Sequence, residues 1–569
     1  MNHIPQKGWP GLRSNFPEGS TKWAVRRAQW RALGIEPDDM TKPKIAVVNS
    51  SSTLSSCYSH LDDLSRHVQE SIRGAGGLAF EIRTVAPSDF VTSAGRDARY
   101  LMPSRDLIVN DIEVMVEGAL LDGMVCLSSC DKTTPAHLMA ACRLNIPTIL
   151  VIGGYQDWGS CGGLAIDIDD VYESVGALAT ATMSLKQLTA RTDCAISSAG
   201  VCSGLGTANT MHIMAEALGM ALPGSAPIRA TGTRMRELAA QAGIQILDLV
   251  RDNLKPRDIV TAAALCNAVT VCVGVGGSVN AVRHLSAVAT EAELNLDVIA
   301  CFEQAGREVP LVAAIRPNGP HRISDLEAAG GARAVMTQLR QYLDTTVTTV
   351  TSRPLGDQLN AGHIDETVIR PCADPISIRG GLAILRGTIA PGGAIVKTAG
   401  VAIPEGVFAG PALVFDSEAD AIAGLGDGRV MEGTVVILRG LGPRGGPGTV
   451  FAAGFASALV GAGLADKVAL VTDGELSGLN RGIVVGQVMP EAADGGPLAY
   501  IDNDDRIVIN LAEGALDVDV DAEELTRRRN SRAIHLAPAP RGWLSIYRAL
   551  VQPIEVGATL VENTSEDHD

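Results

Sequence analysis

The chain of 569 residues contains no run of about 18 or more uncharged apolar residues, the length a membrane-spanning helix needs. Its first residues, Met1 to Trp9, lack the basic-then-apolar order of a secretory leader. Together these absences point to a cytoplasmic protein with no membrane partner. A positive excess is missing too: the formal charge is −17. That sets nucleic acid aside as a partner and requires any anionic substrate to meet a local patch of cations or a metal. Paired C-x-x-C spacing is absent. The eleven cysteines (57, 126, 130, 142, 161, 194, 202, 266, 272, 301 and 372) are odd in number and spread over the first two thirds of the chain. This excludes a secreted disulfide framework, a zinc ribbon and a thioredoxin-type site. Most read as small buried hydrophobes. What is present is 46% hydrophobic residues, 20% charged residues and 61 glycines, the balance of a soluble α/β enzyme with many tight strand-to-helix turns. The length calls for two or three domains.

Strand and helix patterns alternate from Lys44 onward. Ile45 to Asn49 reads as a strand, a serine-rich loop reaches Cys57, and His60 to Ile72 is helical. Phe80 to Val85 reads as a second strand, with Asp89 on the loop beyond it. A helical pattern covers Arg105 to Ala119. Gly123 to Leu127 is a strand that delivers Ser128 to Lys132 at its carboxyl end, Pro135 to Leu144 is helical, and Ile146 to Ile152 is the next strand. Such alternation predicts a doubly wound, mostly parallel sheet, which places ligands outside the carboxyl ends of its strands. Cys57, Asp89 and Cys130 to Lys132 all fall at that edge. One helix is expected over Asp169 to Leu188, followed by a glycine-rich turn, Gly200 to Thr210, that carries Cys202. The strand-helix alternation is expected to continue to about Leu343.

The stretch Leu127 to Pro135 is the most chemical in the chain. The thiolate of Cys130 suits iron, zinc or copper, the carboxylate of Asp131 suits magnesium, calcium or manganese, and Lys132 titrates readily when buried. A bland alternative stands beside this: a buried cysteine at a strand end, with Asp131 or Thr133 capping the next helix. Gly274 to Ser278 lacks the order of a dinucleotide fingerprint or a P-loop and reads as a helix-packing turn. Composition shifts near Pro371 to Arg379. Short strands between Gly/Pro turns follow, at Ala394 to Lys397, Leu413 to Phe415, Gly433 to Leu438 and Val468 to Asp473. The division expected is an α/β domain over 1–370 and a β-rich, barrel-like domain over 371–569. In the second, Gly440 to Gly448 holds too many glycines for a strand and reads as a close backbone approach. The acidic tail after Glu562 is expected to fray.

Seven blocks in order, spanning almost the whole chain, carry a resemblance. They are Cys57-Tyr58-Ser59-His60-Leu61, Cys130-Asp131-Lys132-Thr133-Thr134-Pro135, Gly200 to Met211, Gly276 to Val282, Gly380 to Gly387, Gly442 to Gly448, and Thr472-Asp473-Gly474-Glu475-Leu476-Ser477-Gly478. In these blocks the chain resembles the dihydroxy-acid, sugar-acid and phosphogluconate dehydratase family. The resemblance implies a [2Fe-2S] cluster on Cys57, Cys130 and Cys202, with one iron left open as a Lewis acid. It implies a magnesium site on Asp89, Asp131 and Lys132, the lysine being carbamylated in some members, and Ser477 as the catalytic base. The implied reaction is a hydro-lyase step that removes water from a small anionic 2,3-dihydroxy acid to give a 2-keto acid. A homodimer or a dimer of dimers is implied as the assembly.

The sequence departs from that pattern at three places, one of them Leu441, where the branched-chain members carry an acidic residue before the loop's Gly-Pro. Most members continue the glycine-proline loop as P-G-M-P-E or P-G-M-A-E, the glutamate ligating magnesium; here the run is Pro447-Gly448-Thr449-Val450-Phe451. Conversely, Glu475 stands two residues before Ser477, where relatives carry a basic or apolar side chain. Glu475 can replace the missing ligand, the metal site can be weakened, or Glu475 can be a solvated turn residue. The loss of the usual ligand also leaves open a protein that keeps the fold and cluster as a redox or iron sensor without turnover.

Overall fold

The computed structural model describes residues 9, 11–179, 181–360, 362–399, 406–449, 452–476, 481–534 and 536–561. Fourteen strands are found among them. The first four, β1 (Lys44–Asn49), β2 (Leu78–Arg83), β3 (Gly123–Ser128) and β4 (Thr148–Ile152), form an all-parallel sheet in the order β2-β1-β3-β4. β1, β3 and β4 are buried along their whole length, which is why they read as continuous apolar runs without alternation. The carboxyl ends of β1 and β3 lie side by side, with Asn49 paired to Leu127. The loops that carry Cys57 and Cys130 therefore leave the sheet together, and Asp89 follows β2 on the other side of β1.

A small hairpin, β5 (Gly159–Cys161) and β6 (Leu164–Ile166), follows. From there to residue 343 the described residues hold helices and no strand, contrary to the expected alternation. The cause is burial on every face: in the helices Thr207–Ala217 and Asn280–Glu291 every residue is buried, and a helix with no solvent face lacks the clean 3.6-residue polar stripe that separates it from a buried strand. The single helix expected over 169–188 is two, Ile168–Ala179 and Leu185–Thr192. Ser184 opens the second with a capping box closed by Gln187. Gly274 to Ser278 is the expected turn between two helices, with Gly276 at φ +60.

The C-terminal half is an eight-stranded sheet built from β7 (Leu382–Leu385), β8 (Gly393–Lys397), β9 (Val407–Phe415), β10 (Val435–Leu438), β11 (Ala469–Thr472), β12 (Val484–Met489), β13 (Arg506–Asn510) and β14 (Ala515–Val518). Its order is β14-β13-β9-β10-β11-β12-β8-β7, and a bridge from Arg386 to Ala515 joins the two ends into a nearly closed barrel. The side chains of Val396, Val435, Ile437, Val471, Val485, Ile507 and Ile509 belong to one cluster that fills it. The architecture is α/β, a parallel-sheet region followed by a barrel.

Candidate active site

Three loops bring the thiols together, and neutral hydrogen bonds fix each loop. Ser129 Oγ donates to the Cys57 carbonyl at 2.5 Å, and the Ser129 amide donates to Thr133 Oγ1 at 2.9 Å. Thr133 Oγ1 in turn donates to the Cys130 carbonyl at 2.9 Å. Tyr58 Oη reaches the Pro87 carbonyl at 2.6 Å, tying the Cys57 loop to the Asp89 loop. The third loop turns at Gly200 (φ +125), where a Cβ would stand 2.6 Å from the Gln156 nitrogen, so only glycine fits. Asn209 Nδ2 then holds the Cys202 and Gly204 carbonyls at 2.7 and 2.8 Å. Cys57, Cys130 and Cys202 are all buried and free.

Their electrostatics are those of a crowded anionic donor set. The Cys130 thiol, hydrogen-bonded to the Cys57 sulfur and buried, is pushed well above the usual thiol range. Burial does the same to Cys202, and the charges of Cys130 and Asp131 add to it. Asp89 is raised by burial and then by Asp131, with Lys132 opposing, and neither of its carboxylate oxygens has a hydrogen-bond partner among the described residues. Asp89, Cys130 and Asp131 can each place a ligand atom within 4.8 Å of the other two. Asp131 does not cap the following helix: that helix starts at Thr133, its N-cap residue is Lys132, and no side chain caps it. The carboxylate is therefore left for other work.

Lys132 is fully buried. Burial opposes its charge, but Asp89, Glu475 and Asp131 outweigh it and raise its pKa, so it stands as an ammonium. Its Nζ lies 3.3 Å from Glu475 Oε1 and 3.7 Å from Asp89 Oδ2. As an ammonium it has no lone pair for a metal; ligation requires loss of the proton or carbamylation. Glu475 is 0% exposed, which excludes the solvated-turn reading. It sits against Lys132 and, at 3.9 Å, His284 Nε2, and it is not one of the Asp89, Cys130, Asp131 group. Its second oxygen has no partner among the described residues.

Part of this set borders a cavity of about 210 Å³ between the two halves of the chain. Asp89, Cys130, Asp131 and Cys202 form one wall, and Glu418, Ala453 and Gly454 contribute from the barrel side. Burial pushes the Glu418 carboxyl up to about 7, although the Phe455 amide donates to it at 2.8 Å. The glycine-rich loop makes the close backbone approach expected from its composition, against Arg99. Asp473 accepts from the Gly440, Leu441 and Ala492 amides at 3.1, 2.9 and 2.8 Å, and a Cβ on Gly448 would stand 2.1 Å from the Arg99 carbonyl.

Comparison with known proteins accounts for the blocks of residues at this centre. The model of the dihydroxy-acid/6-phosphogluconate dehydratase N-terminal region matches residues 42–358, and that of the C-terminal region matches 367–558. The chain belongs to the dihydroxy-acid/6-phosphogluconate dehydratase family. A protein of Methanospirillum hungatei named dihydroxy-acid dehydratase is 39% identical over 551 residues, covering 96% of this chain and 100% of that protein. One of Methanothermobacter thermautotrophicus, with the same name, is 40% identical over 549 residues, covering 95% and 99%. In Syntrophobacter fumaroxidans a third is 39% identical over 556 residues, covering 96% and 99%. The enzyme class of the family is hydro-lyase.

In this dehydratase, Ser477 and Phe451 lie outside the described residues. The backbone leading to Ser477 is held: the Leu476 carbonyl accepts from Asn280 Nδ2 at 2.7 Å, and Gln487 Nε2 donates to Asn280 Oδ1 at 3.2 Å. Sequence reasoning missed Glu418, His284, Arg283 and Arg105. The last three were legible only as charged residues inside apolar helical runs, a pattern that signals an unusual burial without saying for what. No helix of the described residues is long and apolar enough to cross a membrane.

Proposed function

We propose that the protein removes water from a 2,3-dihydroxy carboxylic acid to give a 2-keto acid, with Cys57, Cys130 and Cys202 holding a [2Fe-2S] cluster and Asp89 and Asp131 holding magnesium. The observation that carries this is the convergence of Cys130, Cys202, Asp89 and Asp131 on one cavity, with the buried Cys57 sulfur hydrogen-bonded to Cys130. The donor set fits those groups. Thiols and carboxylates that raise one another's pKa in a buried site cannot all ionise unless cations enter, soft sulfur suits iron, and hard oxygen suits magnesium. Three thiolates leave one iron position open, and when bound the cluster supplies a Lewis acid for the departing hydroxyl.

The chain's own residues do the rest. Ser477 takes the C2 proton, a role that needs positive charge nearby to favour an ionised oxygen. The C3–O bond breaks, hydroxide leaves with one proton as water, and the resulting enol takes a proton at C3 to become the keto acid. His284, held far below its usual range by burial and by Lys132, Arg105 and Arg283, is neutral and adds no charge. Glu475 holds Lys132 in place rather than meeting the metal. Relatives named dihydroxy-acid dehydratase support this class of substrate. Incubating anaerobically purified protein with 2,3-dihydroxyisovalerate and a set of aldonic acids tests it: a 2-keto acid should form with at least one of them, and silence across the set with intact cluster absorbance refutes it.

A further inference from the structure

Beyond the thiols, the chain holds a buried cation, Arg283, with two of its nitrogens open among the described residues. Arg283, on the helix Asn280–Glu291, is 1% exposed. Its Nη1 donates to Thr449 Oγ1 at 3.2 Å, while Nε and Nη2 have no hydrogen-bond partner among the described residues. A guanidinium does not shed its charge on burial, so such a residue calls for a counter-ion. The charges of Glu475 and Glu491 reach it, but Glu475 is engaged with Lys132 and Glu491 accepts from the Arg444 and Gly445 amides.

The two open donors are the pair that lie parallel on one edge of the guanidinium, the geometry that takes both oxygens of one carboxylate. The same edge is filled elsewhere in this chain: Arg143 Nε and Nη2 hold the two oxygens of Glu291 at 2.8 and 2.6 Å. Around Arg283 further polar atoms stand open. Arg105 Nη1 and Tyr547 Oη are buried and without partners among the described residues. Both Arg105 and Arg283 act on the Tyr547 phenol and on His284, so the four side chains share one field. His284, the next residue on the helix, is 3.9 Å from Glu475, which places this field against the Lys132 side of the centre.

We propose that Arg283 is the carboxylate-docking residue of this centre, taking a carboxylate of the hydroxy acid side-on through Nε and Nη2, with Arg105 Nη1 and Tyr547 Oη as adjoining donors. This rests on the reading of the ligand as a hydroxy acid, and it is tested by binding so that turnover is not needed. Calorimetry and thermal shift on the cluster-loaded protein would compare 2,3-dihydroxyisovalerate and gluconate with their primary amides, in wild type, Arg283→Met and Arg283→Lys. Wild type should bind at least one acid roughly tenfold or more tighter than its amide. Arg283→Met should lose that preference by weakening the acid alone, and its ligand-free Tm should rise because an unpaired buried charge is gone. Arg283→Lys should recover part of the preference. The proposal is overturned if wild type binds none of the acids, if acid and amide bind alike, or if Arg283→Met keeps the preference; a lower Tm with the preference intact marks a purely structural arginine. Binding as expected without any keto acid would leave the subsite standing and sink the dehydration reading.

Discussion

On the sheet side of the centre, Cys57, Cys130, Cys202, Asp89 and Asp131 are crowded donors, and Cys130, Cys202 and Asp89 are pushed up among them; on the helix side, burial and then the cations Lys132, Arg105 and Arg283 depress His284. Lys132 is the cation that meets the first wall, at Asp89, and on the second wall two donors of Arg283 stay open among the described residues. The difference teaches how the two walls are built. The thiol wall is set by loops locked through hydroxyl-to-backbone bonds, as at Ser129 and Thr133, and so depends on backbone placement. The cationic wall is set by side chains projecting from rigid helices, where one substitution changes the charge without moving the chain.

The largest effect expected from breaking this contrast is at the thiol wall. Cys130→Ser removes a soft ligand and should abolish the visible absorbance of the cluster together with turnover, checked by anaerobic spectroscopy and a keto-acid assay. Next comes the joint between the walls. Glu475→Gln leaves the Lys132 ammonium with one buried partner fewer, and breaking a buried pair costs about 3–5 kcal/mol; the loss should appear as a lower Tm and a shorter half-life on heating. Were Glu475 a metal ligand instead, magnesium affinity would fall with little change in ligand-free Tm.

Much of the thiol wall was legible in the sequence, because strand-then-polar-loop units put Cys57, Asp89 and Cys130 at one sheet edge, and β1 and β3 do end side by side. The strands of the barrel were legible for a similar reason, as short apolar runs between Gly/Pro turns. The region after β6 was not, since helices buried on all faces erase the period that distinguishes them. The cationic wall was illegible for another reason: Arg105 and Arg283 become meaningful only when the fold leaves their donors open, which no local pattern encodes. Glu475 was visible as a departure, but its burial against Lys132 depends on a contact between residues far apart in the chain.

A smaller effect is expected where hydroxyls lock the thiol wall. Ser129→Ala leaves the buried Cys57 carbonyl without its donor, a change of about 1–3 kcal/mol. Cluster loading should weaken while the Tm of the unloaded protein moves little; iron and sulfide content per chain would measure it. The smallest concerns pH. Burial first, then Asp473, pushes Glu491 from its ordinary 4.5 up to about 8, against the Arg444 and Gly445 amides that donate to it. A raised folded-state value means that the folded protein holds this proton more tightly than the unfolded chain. The stability it contributes is full below about 4.5 and is lost as pH rises through about 8. Tm should therefore fall across that window in wild type, and Glu491→Gln, which stays neutral, should flatten the decline.

The contrast between the walls is tested most directly by keto-acid release from anaerobically purified, cluster-loaded protein given 2,3-dihydroxy acids, wild type beside Cys130→Ser and Arg283→Met. A centre that joins metal-binding donors to a carboxylate dock should form a 2-keto acid in wild type, none in Cys130→Ser, and in Arg283→Met only at acid concentrations raised roughly tenfold or more. An intact cluster with no keto acid from any acid, or turnover in Arg283→Met at wild-type acid concentrations, would contradict it.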